Sequence, residues 1–409
     1  MRIGRVCLRT IALVAGGRLV LMVRSLKLLK HELGGVVVHY EIEFFPVGDA
    51  SRAGDAILIR YAVDRGYRVM VVDGGTDDSG AAMVRHIREV YGAGTVISDV
   101  VSTHPDTDHS CGLRAVLDEF PVDRLWVHGL WHHASAMLEL FQDPRWTADG
   151  LAKAIKKEYP VIAGLIDTAI ANGTEVLEPF AGAHIGPFTV LSPRRATYQH
   201  LVPQFRKTPA LNAELLKQRR IWLGEPQKGF LRQMFESASD AAANLVPESW
   251  DRERLKSGGV TAAENESSTV LLGEFGGTKI LLTADAGVNA LSWAIDNAAT
   301  LGKDLTDLRL IQVPHHGSRR NVSPEVLDVL VGPRLPAGSG ERRFAVVSVP
   351  KDDANHPRKM VINAFTRRGA GVRKTQGRKF RFHSGSMPPR PSEAKAEPFG
   401  FFDRVEEYD

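Results

Sequence analysis

Cysteine is nearly absent from this chain of 409 residues, with only Cys7 and Cys111 present. Two thiols make no disulfide framework, so the fold must rest on buried apolar surface, and a reducing compartment, the cytoplasm, is the expected location. Long hydrophobic runs are missing too. No stretch of about 18 uninterrupted apolar residues occurs, which excludes a transmembrane helix as the organising feature. Charge of one sign is also scarce. The net charge is +4, and residues 1–39 alone carry seven Lys/Arg against Glu32, a balance of +6, leaving −2 for the remainder. A near-neutral body excludes a globally basic nucleic-acid binder while leaving room for a local basic groove. No repeat of solenoid period is visible.

A hydrophobic content of 43% suffices for one large domain or two ordinary ones. The basic segment 1–39 makes a poor signal peptide, because Arg9 and Arg18 interrupt its apolar residues and no clear cleavage site follows. Two readings of it stay open: an amphipathic helix on a membrane surface, and translated sequence ahead of the native start, which is preferred because the body begins cleanly near Tyr40. The body is expected over 40–383. Within it, 203–262 is polar, helix-prone and broken by Pro and Gly, and reads as a helical insertion or cover over a site. Residues 384–409 are rich in Pro, Ser and Glu and read as a mobile tail.

Apolar periodicity predicts strands at 41–47, 55–61, 67–72, 96–101, 124–128 and 188–191, then a hairpin at 268–275 and 279–283 turning at Gly276-Gly277. Further strands are predicted at 308–313, 344–349, 371–374 and 379–382. Helical patterns fall at 81–91, 113–120, 132–172 and 287–298, in the segment starting at Ser323-Pro324, and between Pro357 and Arg368. Strands alternating with helices in both halves predict an α/β (α+β) body of sheets covered by helices.

Polar side chains collect where strands end. After the apolar run 96–101 comes Thr103-His104-Pro105-Asp106-Thr107-Asp108-His109, four lone-pair donors in six residues. Two carboxylates so close repel each other or raise a pKa unless a cation lies between them, so a metal-binding turn is favoured over a solvated, helix-capping loop. Asp285 follows the strand at 279–283, and His315-His316 follows the strand at 308–313. Ligands from separate strand ends can converge on one cleft.

Seven short motifs appear in a recognisable order: Val47-Gly48 with Gly54-Asp55-Ala56; Val72-Asp73-Gly74-Gly75; the 103–109 turn; Asn265-Glu266-Ser267-Ser268; Leu282-Thr283-Ala284-Asp285; Val313-Pro314-His315-His316-Gly317-Ser318; and Asn355-His356-Pro357. Over about 40–383 this resembles the metallo-β-lactamase superfamily, and within it the hydrolase domain of ComEC-type competence proteins. The resemblance implies an αββα sandwich with two divalent metal ions at the sheet edge. By residue, it implies His104 and Asp106 on one metal, Asp108 and His109 on the other, and Asp285 bridging both. One His of the 315–316 pair completes the second metal. His316 is assigned to metal and His315 to the substrate's charged oxygen, although the sequence alone does not separate them. Asn265 stands where the superfamily normally supplies a further His to the first metal, either as a weak ligand or as a turn residue. Ala284 replaces a usual Gly, and Cys111 another.

Asp106, in place of a more common His, adds oxygen character and shifts the expected metal toward Mn²⁺ or Mg²⁺, with Zn²⁺ still open. Asp108, His315 and His356 are the expected catalytic residues. Asp55 and Asp73 are expected to orient loops, and His128, His132 and His133 to serve a surface or lid. The basic run of Arg319, Arg320, Arg367, Arg368, Arg373, Lys374, Arg378, Lys379 and Arg381 suits a phosphodiester substrate such as nucleic acid. The expected activity is a ComEC-like phosphodiesterase or nuclease using a metal-activated hydroxide. Alternatives are a hydrolase of small phosphoesters, lactones or thioesters, and a non-catalytic binding module.

Overall fold

The computed structural model describes residues 39–49, 53–223, 244–390 and 396–408. The basic N-terminal segment, the middle of the 203–262 stretch and residues 391–395 therefore lie outside the described residues.

Two seven-stranded sheets form the body. The first runs in the order β15 (Phe380–Ser384), β1 (Tyr40–Phe44), β2 (Ala56–Ala62), β3 (Tyr67–Gly74), β4 (Ile97–Val101), β5 (Val122–Trp126), β6 (Glu175–Leu177). The second runs β14 (Ala370–Lys374), β13 (Arg343–Val347), β12 (Leu308–Gln312), β11 (Thr278–Leu282), β10 (Val270–Phe275), β8 (Phe188–Ser192), β7 (His184–Ile185). Alternation along the strands explains why they stack. Ile57, Ile59, Met70 and Val72 point into the layer between the sheets, where they meet Phe188, Leu271, Ile280, Leu282 and Leu310. Their neighbours Ala56, Leu58, Val69 and Val71 point the other way, onto helices that include Asp77–His86, Leu113–Glu119 and Pro160–Ala171. On the second sheet, Leu272, Leu281 and Ile311 likewise face the helices Val288–Thr300, Pro324–Leu330 and Lys359–Arg367. Both faces of both sheets are buried, which is the αββα sandwich with period-2 patterning read on two sides.

The parallel strands decide where polar side chains gather. β3, β4 and β5 run parallel, as do β11, β12, β13 and β14. The segments after β3, β4, β11, β12 and β13 thus leave their sheets in register with one another. Asp55 joins them from the start of antiparallel β2, whose Ala56 lies opposite Gly74 at the end of β3.

Of the 203–262 stretch, residues 224–243 lie outside the described residues; the rest holds the end of a 3-10 turn, Val202–Gln204, a short helix, Ala213–Gln218, and a strand, β9 (Leu245–Pro247). Two expectations, the mobile tail and the basic patch, need correction. The tail is docked instead of mobile where described, because β16 (Arg404–Glu406) pairs with β9 and Val405 is fully buried. Glu406 also accepts the backbone N–H of Lys359, tying the tail to the start of a helix. The basic run does not form a free patch. Arg367 pairs with Glu248 at 2.7 Å, Arg368 with Glu253 at 2.7 Å, Arg373 with Glu341 at 3.0 Å, Lys379 with Glu43 at 3.0 Å and Arg381 with Glu41 at 2.5 Å. Arg319 and Lys374 lie over the rings of Tyr408 and Phe399. Clustering in sequence did not survive folding, because β14 and β15 belong to different sheets.

Glu41 and Glu43 are fully buried on β1. Burial pushes the Glu43 carboxyl up, but His86, Lys379 and Tyr91 outweigh it and bring it down from 4.5 to about 2. Because the folded value is depressed, the stabilisation is present above the unfolded value and is lost as pH falls from 4.5 toward 2. The shift corresponds to an order of 3 kcal/mol. We expect Glu43→Gln to lower the urea midpoint at neutral pH, and the gap to wild type to shrink as the solution is acidified through that window. Parallel urea titrations across pH check this, and a gap that is constant with pH would refute it.

Candidate metal centre

Four imidazoles converge on one carboxylate, Asp285. Its Oδ1 lies 3.4 Å from His109 Nε2 and 3.8 Å from His316 Nε2. Its Oδ2 lies 3.6 Å from His315 Nε2 and 3.8 Å from His104 Nε2. Asp285 does not spend itself on capping. The helix that follows starts at Val288, and Glu266 accepts the backbone N–H of Ala290 in its first turn.

Each imidazole is held by its other nitrogen. His109 Nδ1 donates to Asp73 Oδ2 at 2.9 Å. His104 Nδ1 donates to Thr103 Oγ1 at 3.0 Å, and that hydroxyl donates onward to Asp73 Oδ2 at 2.7 Å. His316 Nδ1 donates to the Ser348 carbonyl at 3.0 Å, and His315 Nδ1 to Asn321 Oδ1 at 2.9 Å. With Nδ1 protonated, all four Nε2 atoms carry lone pairs facing a carboxylate. Lone pair against lone pair repels unless a cation intervenes. His104 Nε2, His109 Nε2 and Asp285 Oδ1 are in fact buried with no hydrogen-bond partner. Buried polar atoms so placed are costly on their own and natural as metal ligands.

The electrostatics keep His104 and His316 neutral, whereas without a cation His109 holds the extra proton that a metal would displace. Burial pushes the His104 and His316 imidazoles down to about 4 and about 3, keeping them neutral and coordinating. Burial also depresses His109, but Asp285 and Asp73 outweigh it and raise it well above the ordinary value. Burial raises Asp285, and His315, His109 and His316 together bring it well below the usual carboxylate range. Asp108, buried beside Asp106 and Asp285, is pushed up to about 6. Three groups of side chains bring ligand atoms within 4.8 Å of one another: Asp108 with His109 and His316, Asp55 with His109 and Asp285, and Asp73 with His104 and His109. His109 belongs to all three, and Asp106 to none.

The remaining expected residues stand elsewhere. Asp106 is gripped by Arg206, whose Nη2 lies 2.7 and 2.8 Å from its two oxygens. Asn265 donates to Thr261 Oγ1 at 2.8 Å and lies 3.4 Å from His315 Nδ1. His356 stands at the rim, its Nδ1 3.0 Å from Asp353 Oδ2. His128 and His133 are not surface or lid residues as expected, but buried. His128 stacks on Tyr198 with ring centroids 4.3 Å apart, and His133 Nε2 meets Glu178 at 2.8 Å. His132 is exposed, as expected. Arg206 and its second partner, Glu264, were not singled out in the sequence, and neither carries a motif.

Backbone strain concentrates here. Asp73, Ala284, His315 and His316 all take left-handed φ, at 54°, 46°, 47° and 56°. Such conformations cost on the order of 1 kcal/mol or more each in non-glycine residues and persist only when surrounding contacts impose them. For Ala284 the imposing contact is Gln312 Oε1, which accepts the N–H groups of both Thr283 and Ala284. Two glycines allow close approach: a Cβ at Gly54 would lie 1.9 Å from the Asp108 carbonyl oxygen, and one at Gly317 would lie 2.4 Å from Pro357 Cβ.

Asp73 orients two imidazoles and touches none of the coordinating atoms. Asp73→Asn is therefore expected to weaken divalent-metal affinity by roughly 10- to 100-fold with the fold retained. Competition against a chelator of known affinity, alongside circular dichroism, measures it. Unchanged affinity would remove Asp73 from the site.

Residues 52–190 match the family model of the metallo-beta-lactamase superfamily, a stretch that runs from β2 through β8 and includes the 103–109 turn. No curated protein matches the chain. Among solved structures, the metallo-beta-lactamase fold protein YhfI from Bacillus subtilis is 10% identical, with a TM-score of 0.37 over 85% of this chain and 100% of its own. A metallo-beta-lactamase from Cronobacter sakazakii is 12% identical, with a TM-score of 0.26 over 65% and 69%. MEM-A1, a subclass B3 metallo-beta-lactamase from a soil metagenome library, is 12% identical, with a TM-score of 0.28 over 71% and 85%. Likenesses this distant carry no argument about activity. The family match over 52–190, together with two large sheets flanked by helices, is consistent with a metallo-beta-lactamase fold.

Proposed function

We propose that this protein is a metal-dependent hydrolase acting on phosphodiester bonds. The observation that carries the reading is the Asp285 carboxylate, each of whose oxygens faces two imidazole Nε2 atoms at 3.4 to 3.8 Å. His109, His316, Asp108 and Asp285 would hold a divalent ion, Mn²⁺ or Zn²⁺ with Mg²⁺ also compatible, and His104 faces the other oxygen of the same carboxylate. When bound, such an ion polarises a phosphoryl oxygen and makes water a nucleophile near neutral pH.

The chain's own groups then divide the work. Asp108, already pushed toward neutrality by burial, accepts the proton lost by the attacking water. His356 is oriented by Asp353 through Nδ1, which leaves Nε2 to serve the leaving oxygen. His315, partly exposed and anchored by Asn321, is placed to bind a charged substrate oxygen. The ComEC-like nuclease belongs within this reading. The pairing of five of the nine basic residues with carboxylates favours a short phosphodiester over a long duplex, whose binding needs many free cations.

The test is hydrolysis of bis-p-nitrophenyl phosphate, cyclic dinucleotides, and linear and circular DNA and RNA, each with added Mn²⁺ or Zn²⁺ and after chelation. Cleavage of at least one phosphodiester that chelation abolishes is expected. Absence of turnover on all of them, in protein shown to contain metal, would sink the reading. Asp285→Asn is expected to lose metal and at least about 10²-fold in activity while staying folded, because the core packs without it. Full metal content with unchanged turnover in that variant would refute the role of Asp285.

A further inference from the structure

The resemblance leads one to expect two metals, yet the donors for the first do not fit a second cation. Asp106, its expected carboxylate ligand, already has both oxygens within 2.8 Å of Arg206 Nη2. Arg206 is bound a second time through Glu264, whose Oε1 accepts from Nε at 3.0 Å and from the Arg206 backbone N–H at 2.6 Å. Glu264 is itself buried, with 1% exposure, so its charge has to be met inside the protein. The residue next to it, Asn265, stands where a further imidazole would serve the first metal, and its amide nitrogen is engaged with Thr261. His104 Nε2 lies 4.0 Å from Asp106, but among the described residues every group of three donors within 4.8 Å of one another contains His109 and none contains Asp106.

A guanidinium offsets one of the two negative charges of these neighbouring carboxylates and reaches both with separate N–H groups. Bringing a divalent ion to the same carboxylate would place it against that fixed cation.

We propose, on the footing that the protein binds metal at all, that Arg206 stands in for the first metal. The chain then holds a single divalent ion, on the His109 side of Asp285. Arg206 pairs with Asp106 and Glu264, and Asp106 is a partner of arginine, not a metal ligand.

Metal counting tests this without reference to turnover. The full chain is saturated with Zn²⁺ or, separately, Mn²⁺, passed through a desalting column and analysed for metal per chain, with calorimetric titration of the apoprotein alongside. Wild type is expected to hold one equivalent, and Asp106→Asn to keep it. Asp108→Asn should lose it. Arg206→Met, which leaves Asp106 and Glu264 uncompensated, should rise to two equivalents. Wild type at two equivalents, falling to one in Asp106→Asn, would overturn the proposal while leaving metal dependence intact. Arg206→Met remaining folded at one equivalent would also overturn it. Wild type binding no metal would instead remove the hydrolase reading on which it rests. Should Arg206→Met fail to fold, the comparison of wild type with Asp106→Asn decides alone.

Discussion

One carboxylate facing four imidazoles is the constraint around which this molecule is arranged. Asp285 is buried, and each of its oxygens looks at two Nε2 lone pairs. With neutral rings protonated on Nδ1 that arrangement is unfavourable by itself, because every group in it is then an acceptor. It holds because the opposite nitrogen of each ring is bound from outside: two rings by Asp73, directly or through Thr103, one by the Ser348 carbonyl and one by Asn321. Asn321 also donates to the Asp285 carbonyl, so the orienting shell and the central acid are fastened together.

The fold supplies the rigidity this needs. Parallel strands end at one edge of each sheet, and the sheets are locked face to face by aromatic and branched side chains such as Tyr40, Phe188 and Phe275. Four residues at that edge sit in left-handed backbone, and all four belong to the site or directly flank it. Strain of this kind is tolerable where apolar packing on both faces supplies a large excess of stability, and it places donor atoms that a relaxed turn would not.

Much of this was legible in the sequence because it is local. The 103–109 turn, the Ala284-Asp285 step and the 315–318 turn each put their chemistry within a few residues of a strand end, and period-2 patterning located the strands. What was not legible is what depends on distant partners. Arg206 lies 100 residues from Asp106 and 58 from Glu264 in the chain, and no spacing rule links them. The basic run misled for the complementary reason. Its residues are neighbours in sequence, but Arg367 and Arg368 turn into carboxylates of the 244–256 stretch, while Arg381 turns into Glu41 on β1. The docked tail was hidden in the same way, since its strand finds a partner, β9, about 160 residues earlier and inside a segment with no strand pattern of its own.

Burial grades the site from core to rim, and the grading separates its parts. The side chains of His104 and His109 have no exposure and Asp285 has 4%, whereas Asp106, His315 and His356 have 24%, 22% and 29%. A substrate therefore reaches the centre past the second set, not the first. Arg206, with 38% of its side chain exposed, is fixed on Asp106 at that rim. Its charge is spent on Asp106 and Glu264, so it adds no net positive charge to the rim. The deeper layer has a different character, with imidazoles and acids brought within ligand distance of one another. Rim and floor thus differ in what they lack: the rim carboxylates already have a cation from within the chain, whereas the acid of the floor is faced only by imidazoles.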